Sequence, residues 1–354
     1  MAEVLESTTN TEEEPELVST KRITVKQLID KAEEIQSLCS DFNITGANNS
    51  NIRINEYGNV TYVADSGEVR SVPISRFALG QICSKIGVPA QYLEKCIKTG
   101  RLELAQDNVS SWLEDYNGNL FIREYDNSIR GVLSQKFATC DTPEILGIIQ
   151  DIFPTKDFTV RGHFLSPERF HLRITDRDSL PIPDEDLFGG FSIDSSDVGR
   201  STLSVNYLLY KQVCSNGLCL PKGRGEIFQQ KHIGITAEAF REGLKQNIEL
   251  VPNITAELVK EIERSRNSGV AIKDFDNDKE IEDIIKKLRT SMRMSEDQAK
   301  RVIDLFEYRL HKAEDFRYEN NNWGLTNAIT EVARDTSLER RIELERFAGN
   351  LLVA

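Results

Sequence analysis

One stretch constrains the chain more than any other. From Leu203 to Tyr210 the residues alternate: Leu203, Val205, Tyr207 and Leu209 point one way, and Ser204, Asn206, Leu208 and Tyr210 the other. A period of two, in residue types that suit a pleated surface, specifies a β-strand. Within the longer run 200–220, Ser215-Asn216-Gly217 is a tight-turn signal, because Asn and Gly accept positive φ. A second polar turn holds Lys222, Gly223, Arg224 and Gly225. The expectation is a central strand that delivers two turns to one edge of a sheet.

The segment from Asp157 to Thr175 adds a chemical pattern to that sheet. It reads as a hairpin turning at Ser166-Pro167. Phe158, Val160, Gly162 and Phe164 alternate with Thr159, Arg161 and His163. On the return strand Phe170, Leu172 and Ile174 alternate with Arg169, His171 and Arg173. One face is then apolar and packs on a core, while the other carries three arginines and two histidines. Like charges across strands destabilise a sheet unless something anionic offsets them. The basic face is either an ordinary solvated surface or one that meets an anion. A metal site from His163 and His171 lacks carboxylate or thiol companions.

The rest of the chain reads as α+β: a central, mainly antiparallel sheet with flanking helices and a helical C-terminal region. Residues 1–20, with six glutamates and no Lys or Arg, form an acidic tail expected to be disordered. Residues 21–118 hold an N-terminal helix, short strands and helices. Thr24 caps the first helix, whose apolar stripe runs Val25, Leu28, Ile29, Ala32, Ile35, Leu38, Cys39 and Phe42. That stripe packs on its own domain or on a second copy. Residues 51–73 alternate as short strands. Helices then run from Ser75 to Ile86, from Pro89 to Lys98 and from Arg101 to Glu114. The pair around Gly87 has helix-turn-helix spacing, but the second helix carries only Lys95 and Lys98 as cations, which favours plain helical packing.

Residues 119–234 are the sheet region, opening on a hairpin through Asp126-Asn127. Thr142-Pro143 starts a helix to Phe153, and 176–190 is an acidic connection. A short strand spans Glu226 to Ile233. Residues 235–354 are helical, with Thr236–Gln246, Thr255–Arg266, Asp278–Met292 and Ser295–Lys312, a polar break at 319–323, and helices through Leu352. Their charged faces read as solvated surface.

At 354 residues the chain has room for one large domain or two ordinary ones. Net charge is −13, which opposes non-specific attraction to phosphate. No apolar run reaches the roughly 18–20 residues of a membrane span, and no basic-plus-apolar leader opens the sequence, so a cytoplasmic protein is expected. The six cysteines are scattered; Cys214 and Cys219 have no matching Cys or His pair, so structural thiols are expected rather than a metal site.

Four segments in this order resemble a phage- and plasmid-encoded family, domain-of-unknown-function family 932: Arg130–Phe137, Gly189–Ser195, Val213–Gly217 and Thr326–Thr330. The resemblance covers roughly residues 60–354. It implies a mobile-element setting, hence a host cytoplasm, and supplies no activity or catalytic residues. At the level of fold, a basic antiparallel sheet beside helices is also similar to the phage single-strand annealing proteins of the Rad-fifty-two type.

The leading reading is therefore a binding protein for single-stranded nucleic acid, with no cofactor and no metal. Phosphate contacts are assigned to Arg123, Arg130, Lys136, Arg161, Arg169, Arg173, Lys211, Lys222 and Arg224. Tyr125, Tyr207 and Tyr210 are the bases' stacking partners. A homo-oligomer is compatible with the first helix. The alternative is a protein-interaction factor that blocks or redirects a host defence system, for which the acidic tail and net charge are suited. An enzyme is disfavoured: Ser134, Cys214, His163 and His171 sit in no nucleophile elbow, Cys/His pair or phosphate loop.

Overall fold

The structure is a computed structural model that describes residues 23–352, apart from 49, 56, 117, 153–157, 183–185, 212–215, 220–225, 231–235, 249–250, 269–276 and 312–319. The acidic tail lies outside these residues, as do Lys222 and Arg224. Among the described residues the chain folds into eleven helices and three antiparallel sheets, an α+β protein with a helical C-terminal region.

Helix α1 (Val25–Ser37) starts at a capping box. Gln27 N–H donates to the Thr24 hydroxyl at 3.2 Å, and Thr24 N–H donates to Gln27 Oε1 at 2.9 Å. The helix is shorter than its apolar stripe suggests. Cys39 and Phe42 belong to strand β1 (Cys39–Ile44), which pairs with β5 (Leu120–Tyr125): the step of three from Cys39 to Phe42 suits a helix, but the backbone there pairs along β5. A small sheet follows, β2 (Ile52–Ile54), β3 (Val60–Val63) and β4 (Val69–Val72), turning at Gly58 and Gly67, both at positive φ. Three helices come next: α2 (Arg76–Ile86), α3 (Ala90–Lys98) and α4 (Leu102–Glu114). Ser75 caps α2, and Gly87 ends it in the left-handed conformation. Strand β6 (Ser128–Ser134) returns from β5 through Asp126 and Asn127, both at positive φ as a two-residue hairpin requires.

Helix α5 (Thr142–Ile152) leads into the large sheet, ordered β11-β10-β9-β8-β7 with β12 also on β10. Its strands are β7 (Phe158–Leu165), β8 (Phe170–Asp176), β9 (Leu187–Ser195), β10 (Leu203–Lys211), β11 (Asn216–Cys219) and β12 (Glu226–Gln230). The alternating stretch is thus a central strand. Two expectations change. Asn216 and Gly217 are not a turn: they pair with Lys211 and Tyr210 in β11, while Ser215 lies outside the described residues. The supposed connection through Phe188-Gly-Gly-Phe191 is part of β9. Its glycines disguise a strand because the neighbours leave no room for a side chain: a Cβ on Gly190 would strike the Ile174 carbonyl of β8, and one on Gly189 the Tyr207 hydroxyl of β10.

The C-terminal helices are α6 (Ala237–Ile248), α7 (Val251–Arg266), α8 (Asp278–Met292), α9 (Glu296–His311), α10 (Asn322–Arg334) and α11 (Leu338–Leu352). Apolar side chains gather in two main cores. One lies within Ile44–Val132, so the β5–β6 hairpin packs with the N-terminal elements. The other joins α1, α5, one face of the large sheet and the C-terminal helices. On the opposite face of the sheet a small cluster of buried apolar residues gathers, Phe188, Leu208 and Tyr210.

Candidate functional site

The arginine-bearing face of the large sheet is closed. Arg173 is buried and donates through both terminal nitrogens to Glu345 of α11, at 3.0 and 2.6 Å. Its Nε donates to His171 Nε2 at 3.2 Å. That bond requires an unprotonated Nε2, so His171 is neutral and its Nδ1–H faces Asp194 Oδ2 at 3.3 Å. Burial lowers the pKa of His171, in agreement. With both ring nitrogens engaged and the ring fully buried, this imidazole has no site for proton transfer to a ligand. Arg169, also buried, donates to Asp194 at 2.7 Å and to Glu339 of α11 at 2.9 Å. Burial opposes the Asp194 charge, but the His171 hydrogen bond and Arg169 hold its pKa at about 2. Arg341 adds a third donor to Glu345 at 2.9 Å.

Arg161 sits at a β-bulge between Val160 and Gly162, which resets the alternation along β7. Beyond the bulge Phe164 stands opposite His171 and His163 opposite Leu172, so the two histidines occupy opposite faces. The Arg161 guanidinium stacks 4.4 Å from the Phe188 ring centroid and 5.1 Å from that of Tyr210, while its Nε donates to Thr175 at 2.9 Å. Tyr210 is buried beneath it. Tyr207 is buried in the main core, edge-on to Phe191, and stacks on no ligand.

Arg123 and Arg130 lie where the two cores meet. Arg123 is fully buried and grips both Asp41 and Asp141 through paired hydrogen bonds of 2.5–3.0 Å. Burial works against its charge, but the two carboxylates, Asp141 foremost, hold its pKa above the usual range. Arg130 donates to the Pro167 carbonyl and lies 3.7 Å from Asp197. Asp197 in turn accepts from the backbone N–H and hydroxyl of Thr142 at the start of α5, at 3.2 and 3.0 Å. Burial and the nearby Asp141 push its pKa up to about 6. Of the remaining sequence candidates, Lys136 is exposed, Tyr125 is half-buried, and Lys211 holds its ammonium 5.9 Å from the Trp323 ring. Arg169 and Arg173 are therefore neutralised by the protein's own carboxylates, whereas Arg161 rests half-buried on two aromatic rings.

The exposed cations stand elsewhere. Lys286, Arg289 and Arg293 recur at i, i+3 and i+7 along and just past α8, so they share one face. With Thr290 and Met294 they line an open cleft of about 380 Å³. Arg293 caps the helix at φ 51°, and cations there complement the helix's negative end. Lys286 and Arg293 are exposed and make no ion pair among the described residues, while Arg289 meets Glu296 in a half-exposed pair at 3.1 Å. Sequence reasoning passed over this group as solvated surface. A signal was present: from Ile284 to Ser295 there are four cations and no acid, in a strongly acidic chain. Among the described residues no cluster of three metal-ligating side chains occurs, and burial raises the thiol pKa values of Cys39, Cys83 and Cys140.

Comparison with protein-family models, with curated proteins and with solved structures finds no match.

Proposed function

We propose that the protein binds single-stranded nucleic acid through the cations of α8 rather than through its sheet. The observation that carries the reading is the shared exposed face of Lys286, Arg289 and Arg293, with Thr290 beside them and two of the three cations without an ion pair among the described residues. Phosphate neutralisation by such side chains supplies most non-specific affinity. A narrower form, strand annealing in phage DNA metabolism, is supported only by the resemblance of the four segments described above.

The test is fluorescence anisotropy of a labelled oligothymidine across a salt series. Three phosphate contacts on a single strand give a slope of log affinity against log salt of about −2. Reversing all three charges (Lys286→Glu, Arg289→Glu, Arg293→Glu) is expected to abolish binding, whereas Lys136→Glu leaves it intact. Duplex DNA and RNA of equal length set the preference. Absence of binding at low salt, or binding that the triple reversal does not touch, refutes the reading.

One observation favours a protein-interaction factor instead. Leu104 and Trp112, at i and i+8 of α4, are 41% and 52% exposed, and Tyr92 of α3 beside them is 39% exposed. A large exposed apolar group of this kind marks protein contacts. On that reading Trp112 fluorescence shifts to the blue when the partner docks, and oligonucleotides leave it unchanged.

A further inference from the structure

A second cleft, of about 470 Å³, opens where the β9–β10 loop crosses the N-terminal elements. Its volume falls in the range of small-ligand sites. The walls are rigid. Gln81 of α2 donates to the Val198 carbonyl at 2.9 Å and accepts from Val132 N–H of β6 at 2.7 Å, tying loop to strand. Ser196 Oγ accepts from the backbone N–H groups of Val198 and Arg200, at 3.3 and 2.8 Å. Gly131 has no room for a Cβ against Val198, so the loop seats tightly on β6.

The lining is divided chemically. Val132, Leu133 and Phe137 supply an apolar floor, and Lys85, Arg200 and Ser201 a polar side. Lys85 is half-buried and makes no ion pair among the described residues, and burial alone lowers its pKa. The Ser201 hydroxyl is buried and has no hydrogen-bond partner among the described residues, although buried hydroxyls nearly always find one. Arg200 is held by Glu168 at 2.7 Å, lies 3.7 Å from Glu339 and stacks over Phe77 at 5.3 Å.

From these groups we infer a binding site for a phosphate monoester carried on a small apolar or aromatic body. An ammonium from α2 and a guanidinium and a hydroxyl from the β9–β10 loop, gathered on the polar side, match the three terminal oxygens of a phosphate. A carboxylate has two oxygens and one charge, and it competes poorly with Glu168 for Arg200. The apolar floor takes the body of the ligand. This site is separate from the α8 face and stands or falls without it.

The test uses the full chain with phenyl phosphate as probe, against phenylacetate and phenol, by isothermal titration and thermal shift. Phenyl phosphate is expected to bind one to one and raise Tm, phenylacetate to bind at least tenfold more weakly, and phenol not at all. Lys85→Met keeps the stem and removes the charge; it should cut affinity roughly tenfold or more while leaving the unliganded Tm unchanged. Glu168→Gln removes the nearer of the two carboxylates that hold Arg200 and should tighten binding severalfold, a readout that survives if the Lys85 variant folds poorly. Equal binding of phenol and phenyl phosphate, no binding of phenyl phosphate at millimolar concentration, or a Lys85→Met protein that binds as well as wild type overturns the assignment. Oligonucleotide binding through α8 is expected to persist in both variants, which keeps the two proposals distinguishable.

Discussion

Glu345→Ala tests whether the sheet face is as closed as its geometry indicates. Glu345 is fully buried and accepts three charge-assisted hydrogen bonds, two from Arg173 and one from Arg341. Removing it strands the terminal nitrogens of Arg173, which is 1% exposed, and takes one acceptor from Arg341. Breaking a buried ion pair from one side costs about 3–5 kcal/mol, most of it the uncompensated charge left behind. A chain of this length unfolds with an entropy of roughly 0.7 kcal/mol per kelvin, so the expected loss in Tm is about 4–7 °C. Urea denaturation followed by circular dichroism gives the free energy directly. The double variant Arg173→Met with Glu345→Leu is expected to recover much of the loss, since an apolar pair of similar volume carries no charge to desolvate. A loss under about 1 kcal/mol in Glu345→Ala refutes the reasoning. It would mean that Arg173 reaches water without its partner, and the sheet would return as a candidate anion surface.

Two further outcomes follow from buried groups and close contacts. Asp197 has its pKa raised from 3.8 to about 6, so the folded state holds a proton that the unfolded chain releases, and stability falls as pH rises from about 4 through 6. The rise of roughly two units is worth about 3 kcal/mol at neutral pH. Asp197→Asn keeps the acceptor for Thr142, and urea melts across this window should show a flatter profile with higher stability at pH 7.5; an unchanged slope refutes the assignment. Gly190→Ala forces a Cβ against the β8 backbone and is expected to cost several kcal/mol, about 3 or more, whereas Gly147→Ala in the open interior of α5 should stabilise by about 0.5–1 kcal/mol, both read from Tm.

The fold was largely legible because its signals are local. The Thr24 and Ser75 caps, the Asp126-Asn127 turn and the bounds of Asp278–Met292 each depend on residues within a few positions of one another. Errors arose where a helical spacing runs on into a strand, as from Cys39 to Phe42, or where tight packing demands glycine in a strand, as at Gly189 and Gly190. The bulge at Arg161 also escaped, since one extra residue leaves no mark on composition while moving His163 to the other face.

The candidate site was less legible, for a reason of range. Alternation along a strand says which side chains share a face and nothing about what covers that face. The acid that meets Arg173 lies 172 residues away, the one that meets Arg169 at Glu339 is 170 away, and Asp41 is 82 from Arg123. A basic strand in an acidic chain is thus ambiguous, because a long-range carboxylate offsets it as readily as a ligand does. Cross-strand repulsion among the arginines did require an anion, and the protein supplies its own from α11. A helical cation is a different case. At Lys286, Arg289 and Arg293 the nearest chain neighbours hold no acid from 284 to 295, the helix end itself favours positive charge, and the side chains face water. Local charge imbalance on an exposed helix is therefore the more dependable pointer to a polyanion. The triple reversal on α8, set beside Glu345→Ala on the sheet, measures that difference within one molecule: the first should remove nucleic-acid binding and spare stability, and the second should do the reverse.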